Sequence, residues 1–193
     1  MITASLLTFL TYPMPKTLGH YLYQVDGQGA RLYVGRALQP AKRLRQHVTI
    51  TGLNEIDTFG KVFYCNLPDS LFWQVQLYTL VDCQAVVFAY YRSDLFADPP
   101  GIREEREDDY HHFACTSTNE QYYNFYNHHT GFLTDAEAAL IWRYQPCMNV
   151  SLQVAQPAYP PALHSPRHYF ARFPDPAHTR LFLKQHLAKV KGA

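Results

Sequence analysis

The stretch from Gly19 to His47, GHYLYQVDGQGARLYVGRALQPAKRLRQH, decides how the rest of the chain is read. Tyr21, Tyr23 and Val25 fall on alternate positions, as in a half-buried strand. Asp26-Gly27-Gln28-Gly29 supplies turn chemistry, because glycine takes positive φ at no steric cost. Leu32-Tyr33-Val34 opens a second strand, and Gly35 ends it with room for close backbone approach. Pro40 suits the first turn of a helix, where its missing N–H is not needed, and Ala41 to His47 continues that helix. Arg43 and His47, one turn apart, project from one face. A hairpin thus presents tyrosines beside a helix that presents arginine and histidine. That set suits chemistry on a phosphodiester.

Far along the chain comes Glu137-Ala138-Ala139-Leu140-Ile141, then Tyr144, Pro146 and Asn149. Taken alone, Thr134-Asp135-Ala136-Glu137 has the form of a capping box, with Thr134 as the cap and Glu137 as its reciprocal partner. Taken with the hairpin and helix, the pattern resembles the GIY-YIG nuclease superfamily, and within it the type II restriction endonucleases. Gly19-His20-Tyr21 stands for the first triplet and Tyr33-Val34-Gly35 for the second. Arg43, His47, Glu137 and Asn149 follow in the family's order. Two positions depart from it. His20 stands where an apolar residue is usual, and Arg36 where lysine is frequent. A guanidinium keeps the charge but cannot act as a base at neutral pH.

The resemblance implies an α/β fold: a small, mostly antiparallel sheet flanked by helices. It implies one domain, with a core over about 18–92 and 134–150, an insertion over about 93–133, and a C-terminal arm and helix over about 151–193. The implied activity is metal-dependent endonucleolytic cleavage of double-stranded DNA by a site-specific enzyme, with room for a homodimer. Tyr21 is the implied base, assisted by Tyr33. A free phenol titrates near pH ~10, so Arg36, Arg43 and the metal are expected to lower it. Arg43 is assigned to phosphate charge, His47 to proton transfer or phosphate binding, and Asn149 to fixing the site by hydrogen bonds. Glu137 is the implied ligand of Mg²⁺ or Mn²⁺. A single carboxylate suits an ion that keeps most of its waters. Arg36, Lys42 and Arg45 are expected to contact DNA. A homing, phage-encoded or toxin nuclease shares this chemistry, and a non-catalytic nucleic-acid-binding module could share the fold.

Composition bounds these readings. The formal charge is +1, from 17 Lys and Arg against 16 Asp and Glu, so the chain is not a strongly basic binder. The charge is uneven, however. Both ends are basic, and Asp94, Asp98, Glu104, Glu105, Glu107, Asp108 and Asp109 concentrate acid in the middle, a distribution that fits a protein holding a phosphate backbone with only some surfaces. No apolar run reaches the length of a membrane span. The leading MITASLLTFLTYPMPK lacks a basic region before its apolar patch and reads as mature protein. Cys65, Cys83, Cys115 and Cys147 lack paired-ligand spacing and read as free buried thiols in a reducing cytoplasm.

The remaining segments carry their own expectations. Met1 to Thr17 reads as an arm or short helix, and Lys61 to Leu67 as a strand. Leu71 to Leu80 suits helix or strand equally, while Gln84 to Tyr91, QAVVFAYY, reads as a central strand. Asp98-Pro99-Pro100-Gly101 reads as a turn. In the insertion, Tyr122 and Tyr123 are placed to stack on bases, with aromatic packing as the alternative. The His pairs there lack zinc spacing. A Pro-rich arm precedes a last helix from Asp175-Pro176 to about Lys191, with Leu181, Phe182, Leu183 and Leu187 facing protein.

Overall fold

The computed structural model describes residues 1–12, 19–49, 57–96, 100–116, 131–149, 158–173 and 175–191. Four strands, β1 (Ile2–Ser5), β2 (Leu22–Gly27), β3 (Ala30–Arg36) and β4 (Gln74–Tyr78), form one antiparallel sheet in the order β1-β4-β2-β3. β2 and β3 are the hairpin expected from the sequence. Its turn residues Gln28 and Gly29 have φ of 54° and 73°, the paired positive values that match strand twist. Val25 pairs with Tyr33 and Asp26 with Arg31, so Leu32 is an extra residue, a β-bulge. Leu32 and Tyr33 therefore meet the same core layer instead of opposite ones.

Helices cover both faces. Tyr23, Val25, Val75 and Leu77 pack under α1 (Leu6–Thr11), α2 (Pro40–Val48) and α3 (Thr58–Cys65). Leu22, Val34 and Tyr78 pack under α4 (Leu80–Tyr91), α5 (Pro100–Thr116) and α6 (Gly131–Tyr144). The C-terminal α7 (Tyr169–Arg172) and α8 (Pro176–Lys191) join the first layer through Tyr169, Phe173 and the partly buried Phe182, Leu183 and Leu187. The fold is thus α/β, with a small antiparallel sheet between helical layers. Among the described residues, no helix is long and apolar enough to cross a membrane.

Several segments differ from expectation, each for a local reason. The first residues include an edge strand, β1, which pairs with β4 before α1 begins. Lys61 to Cys65 is helical, within α3. Asp57 caps it, its Oδ1 accepting from the Gly60 N–H at 2.9 Å, and Phe59, Val62 and Phe63 bury one helical face. The Gln84 to Tyr91 segment is helical too, within α4. Thr79 and Asp82 form a full capping box there, and Leu80, Cys83, Val87 and Tyr91 are buried at helical spacing. The ambiguous Leu71 to Leu80 segment contributes the end of a 3-10 turn, then β4.

Pro100 and Gly101 open α5 instead of completing a turn. Thr134 is not a cap, because α6 already begins at Gly131. Leu181 is exposed on α8, and Cys115 is an exposed thiol while Cys65, Cys83 and Cys147 are buried. Tyr122, Tyr123, His128 and His129 lie outside the described residues.

The outer edge of β3 is covered by the chain after α6. Cys147 and Met148 donate their N–H groups to the Arg31 and Leu32 carbonyls at 3.4 and 2.9 Å. Asn149 completes the edge with its side chain, accepting from the Val34 N–H at 2.9 Å and donating to the Val34 carbonyl at 2.8 Å. Its amide thus replaces a backbone unit of a neighbouring strand. Arg45 joins α2 to α1 by donating to the Phe9 and Tyr12 carbonyls at 2.8 and 2.6 Å.

The capping box of α4 gives a direct check. Thr79→Ala removes the acceptor for the Asp82 N–H and is expected to lower unfolding free energy by about 1 kcal/mol in urea titrations, with an unchanged slope.

Candidate active site

One cleft, of about 330 Å³, opens where β3, α2, α3 and α6 meet, and its lining includes Tyr33, Arg43, His47, Asp57, Glu137 and Asn149. Residues widely separated in sequence come together here for reasons already present in the fold. Tyr33 follows the bulge on β3. Arg43 and His47 share one face of α2, with Arg43 exposed and His47 buried at 3 % exposure. Glu137 projects from α6, and Asn149 anchors the chain beyond it to β3.

Tyr21 is not in this cleft. It precedes β2, packs with Leu22, Val34 and Tyr78 in the other core layer, and accepts the Ala37 N–H at its carbonyl, 2.8 Å away. Tyr23 does not line the cleft either, but lies behind it beside Tyr33 and His47. Pairing sets Tyr23 directly opposite Gly35, which makes Tyr33 its diagonal neighbour, with ring centroids 6.0 Å apart. The Tyr23 hydroxyl lies 2.9 Å from His47 Nε2. The other imidazole nitrogen, Nδ1, pairs with Asp57 Oδ2. Sequence reading did not single out Tyr23 or Asp57, the two partners of the His47 ring. The signal for Tyr23 was its register against Gly35, and for Asp57 its place as the cap of α3.

Gly35 shows why no side chain is tolerated there. A Cβ would lie 2.6 Å from the Tyr23 ring and its hydroxyl, and 2.9 Å from Tyr33. The absence of that carbon lets Tyr23 lie across β3 toward His47.

Arg36 is held against α6. Its Nε lies 2.9 Å from Glu137 Oε2, and its Nη1 donates to Thr134 Oγ1 at 2.7 Å. It grips α6 one turn apart and neutralises the site carboxylate. Arg45 points to α1 and does not face the cleft. Lys42 does remain at an open surface. With Arg36, Arg43, Gln39 and Gln46 it lines a second hollow, of about 550 Å³, and Arg43 borders both hollows.

The electrostatics also depart from expectation. Burial pushes the Tyr33 phenol up to about 12; Asp57 and Glu137 add to the rise, and Arg43 only partly opposes it. Burial raises Tyr23 well above its ordinary value in the same way. Neither phenol is made acidic by its neighbours. Burial also raises Glu137, against the Arg36 guanidinium, which lowers it. For Asp57 burial acts upward, but hydrogen bonds and charge from His47, the Gly60 N–H and Arg43 bring it below the usual carboxylate range.

Among the described residues, no group of three or more His, Cys, Asp or Glu side chains is placed to hold a metal ion. The donor set fits a hard ion held by one carboxylate and its own waters, with Glu137 at the cleft wall, and does not fit a fully protein-caged ion.

Gly35→Ala is expected to lower unfolding free energy by about 1–3 kcal/mol in urea titrations, because the added methyl must displace the Tyr23 and Tyr33 rings.

Compared with known proteins, the chain matches no family model, no curated protein and no solved structure.

Proposed function

We propose that this protein is a metal-dependent DNA endonuclease of the GIY-YIG kind, hydrolysing phosphodiester bonds as a site-specific restriction enzyme does. One observation carries the reading. Tyr33, Arg43, His47 and Glu137, from a strand and two separate helices, line one cleft. In this reading the first triplet is Tyr21-Leu22-Tyr23, and Tyr23 is the tyrosine it supplies.

Each side chain has a task that its position supports. Arg43, between the cleft and the basic hollow, binds the phosphoryl oxygens and stabilises charge that grows on them in the transition state. Arg36 and Lys42 in that hollow hold the phosphate next along the strand. Tyr33, at the cleft wall, positions the attacking water, and Tyr23 passes a proton on to His47 Nε2. Asn149 holds β3 and hence Tyr33 in place. Glu137 would hold Mg²⁺ or Mn²⁺, which when bound supplies positive charge to the phosphate and the departing oxygen.

Purified protein incubated with plasmid and Mg²⁺ or Mn²⁺ tests the reading. Discrete fragments are expected, and EDTA abolishes them. Glu137→Ala, Arg43→Ala and Tyr23→Phe each lower the cleavage rate by about 100-fold or more, while Tyr21→Phe still cleaves. Uniform smearing argues against site specificity. A wild-type protein that leaves both DNA and RNA intact defeats the nuclease reading.

A further inference from the structure

Asp57 belongs to no motif, yet it lines the cleft. Its carboxylate divides its work. Oδ1 accepts from the Gly60 N–H at 2.9 Å and caps α3, while Oδ2 pairs with His47 Nδ1. His47 is buried, so both ring nitrogens are committed to partners inside the protein. An ionised carboxylate only accepts hydrogen bonds. When the imidazole carries one proton, the carboxylate therefore holds it on Nδ1. Nε2 is then a bare lone pair, 2.9 Å from the Tyr23 hydroxyl. The Tyr33 ring lies beside that of Tyr23, with 6.0 Å between centroids, and Tyr33 lines the cleft.

We propose that Asp57 is the positioning residue of a proton relay: it holds the His47 proton on Nδ1 and so keeps Nε2 open to receive the proton of Tyr23. The step is two linked proton shifts. Water gives a proton to the Tyr23 oxygen as Tyr23 gives its own to His47 Nε2. What results is a hydroxide, a neutral phenol, and an imidazolium balanced by the Asp57 carboxylate. The identity of that water as the nucleophile rests on the nuclease reading above; the Asp57–His47–Tyr23 arrangement does not.

The titratable and charged groups facing His47 are Tyr23 on β2, Tyr33 on β3, Arg43 on α2 itself, Asp57 at the head of α3 and Glu137 on α6. Of these, only Asp57 meets Nδ1. A relay through His47 also answers a difficulty raised by the buried tyrosines. Phenols that hold their protons this firmly can pass a proton on, though they cannot act as bases by standing ionised.

Asp57→Asn separates capping from positioning. Asparagine caps helices as well as aspartate does, but it has one acceptor oxygen. If that oxygen stays on the Gly60 N–H, the amide NH₂ meets His47 Nδ1 and drives the ring proton to Nε2. Nitrogen-15 NMR of the His47 ring reads the tautomer with no substrate present. The expected result is a proton on Nδ1 in the wild type and on Nε2 in Asp57→Asn. With plasmid and Mg²⁺, kcat falls by about 10²–10⁴-fold with little change in KM.

A wild-type imidazole protonated on Nε2 overturns the proposal. So does an Asp57→Asn protein with an unchanged tautomer, or one whose tautomer switches while kcat stays at the wild-type value. If the wild type cleaves nothing, the nuclease reading fails and the two tautomers alone decide the role of Asp57.

Discussion

The site depends on a missing carbon. At Gly35 nothing projects from β3, and the Tyr23 ring occupies the space that any other residue would fill. That placement lets a fully buried tyrosine reach His47 from the neighbouring strand. The bulge at Leu32 acts three residues earlier on the same strand. It resets the alternation so that Tyr33 turns to the layer holding Tyr23. A glycine and one extra residue, both in the hairpin, bring two phenols to one imidazole. The surrounding helices then have only to bring Arg43, Asp57 and Glu137 to the same opening.

Much of this was legible in the sequence where local chemistry determines structure. Gln28-Gly29 marks the turn, Pro40 marks the start of α2, and Asp175-Pro176 precedes α8. Asn149 was expected to make fixing hydrogen bonds, and its amide bonds both the N–H and the carbonyl of Val34. The errors came where composition and burial compete. Lys61 to Cys65 and Gln84 to Tyr91 are rich in Val, Phe and Tyr, which favours strands when propensity is read alone. Both are helical, and the signals that outweigh composition are the caps Asp57 and Thr79. The choice between Tyr21 and Tyr23 could not be made from triplets. It depends on register, which turn length and a bulge set together.

Charge at the site also follows burial more than proximity. From sequence, Arg36, Arg43 and a bound metal were expected together to lower a tyrosine's pKa. In the folded chain the cost of placing a phenolate out of water exceeds the help from Arg43, and Asp57 and Glu137 oppose ionisation further. Burial thus opposes leaving charge on either phenol. Arg36 illustrates the same rule. Of the cations near the cleft it is the one paired with the site carboxylate, because Glu137 is half-buried and needs a fixed partner.

The Arg36–Glu137 contact has a consequence for how the protein meets its ligands. The carboxylate already has a resident counter-ion. On the nuclease reading proposed above, a divalent ion would have to share it with a guanidinium that repels it. A phosphate in the adjoining hollow would offer Arg36 a second anion and relieve that repulsion. Occupancy of the two places would then be mutually reinforcing, since linkage between ligands runs equally in both directions.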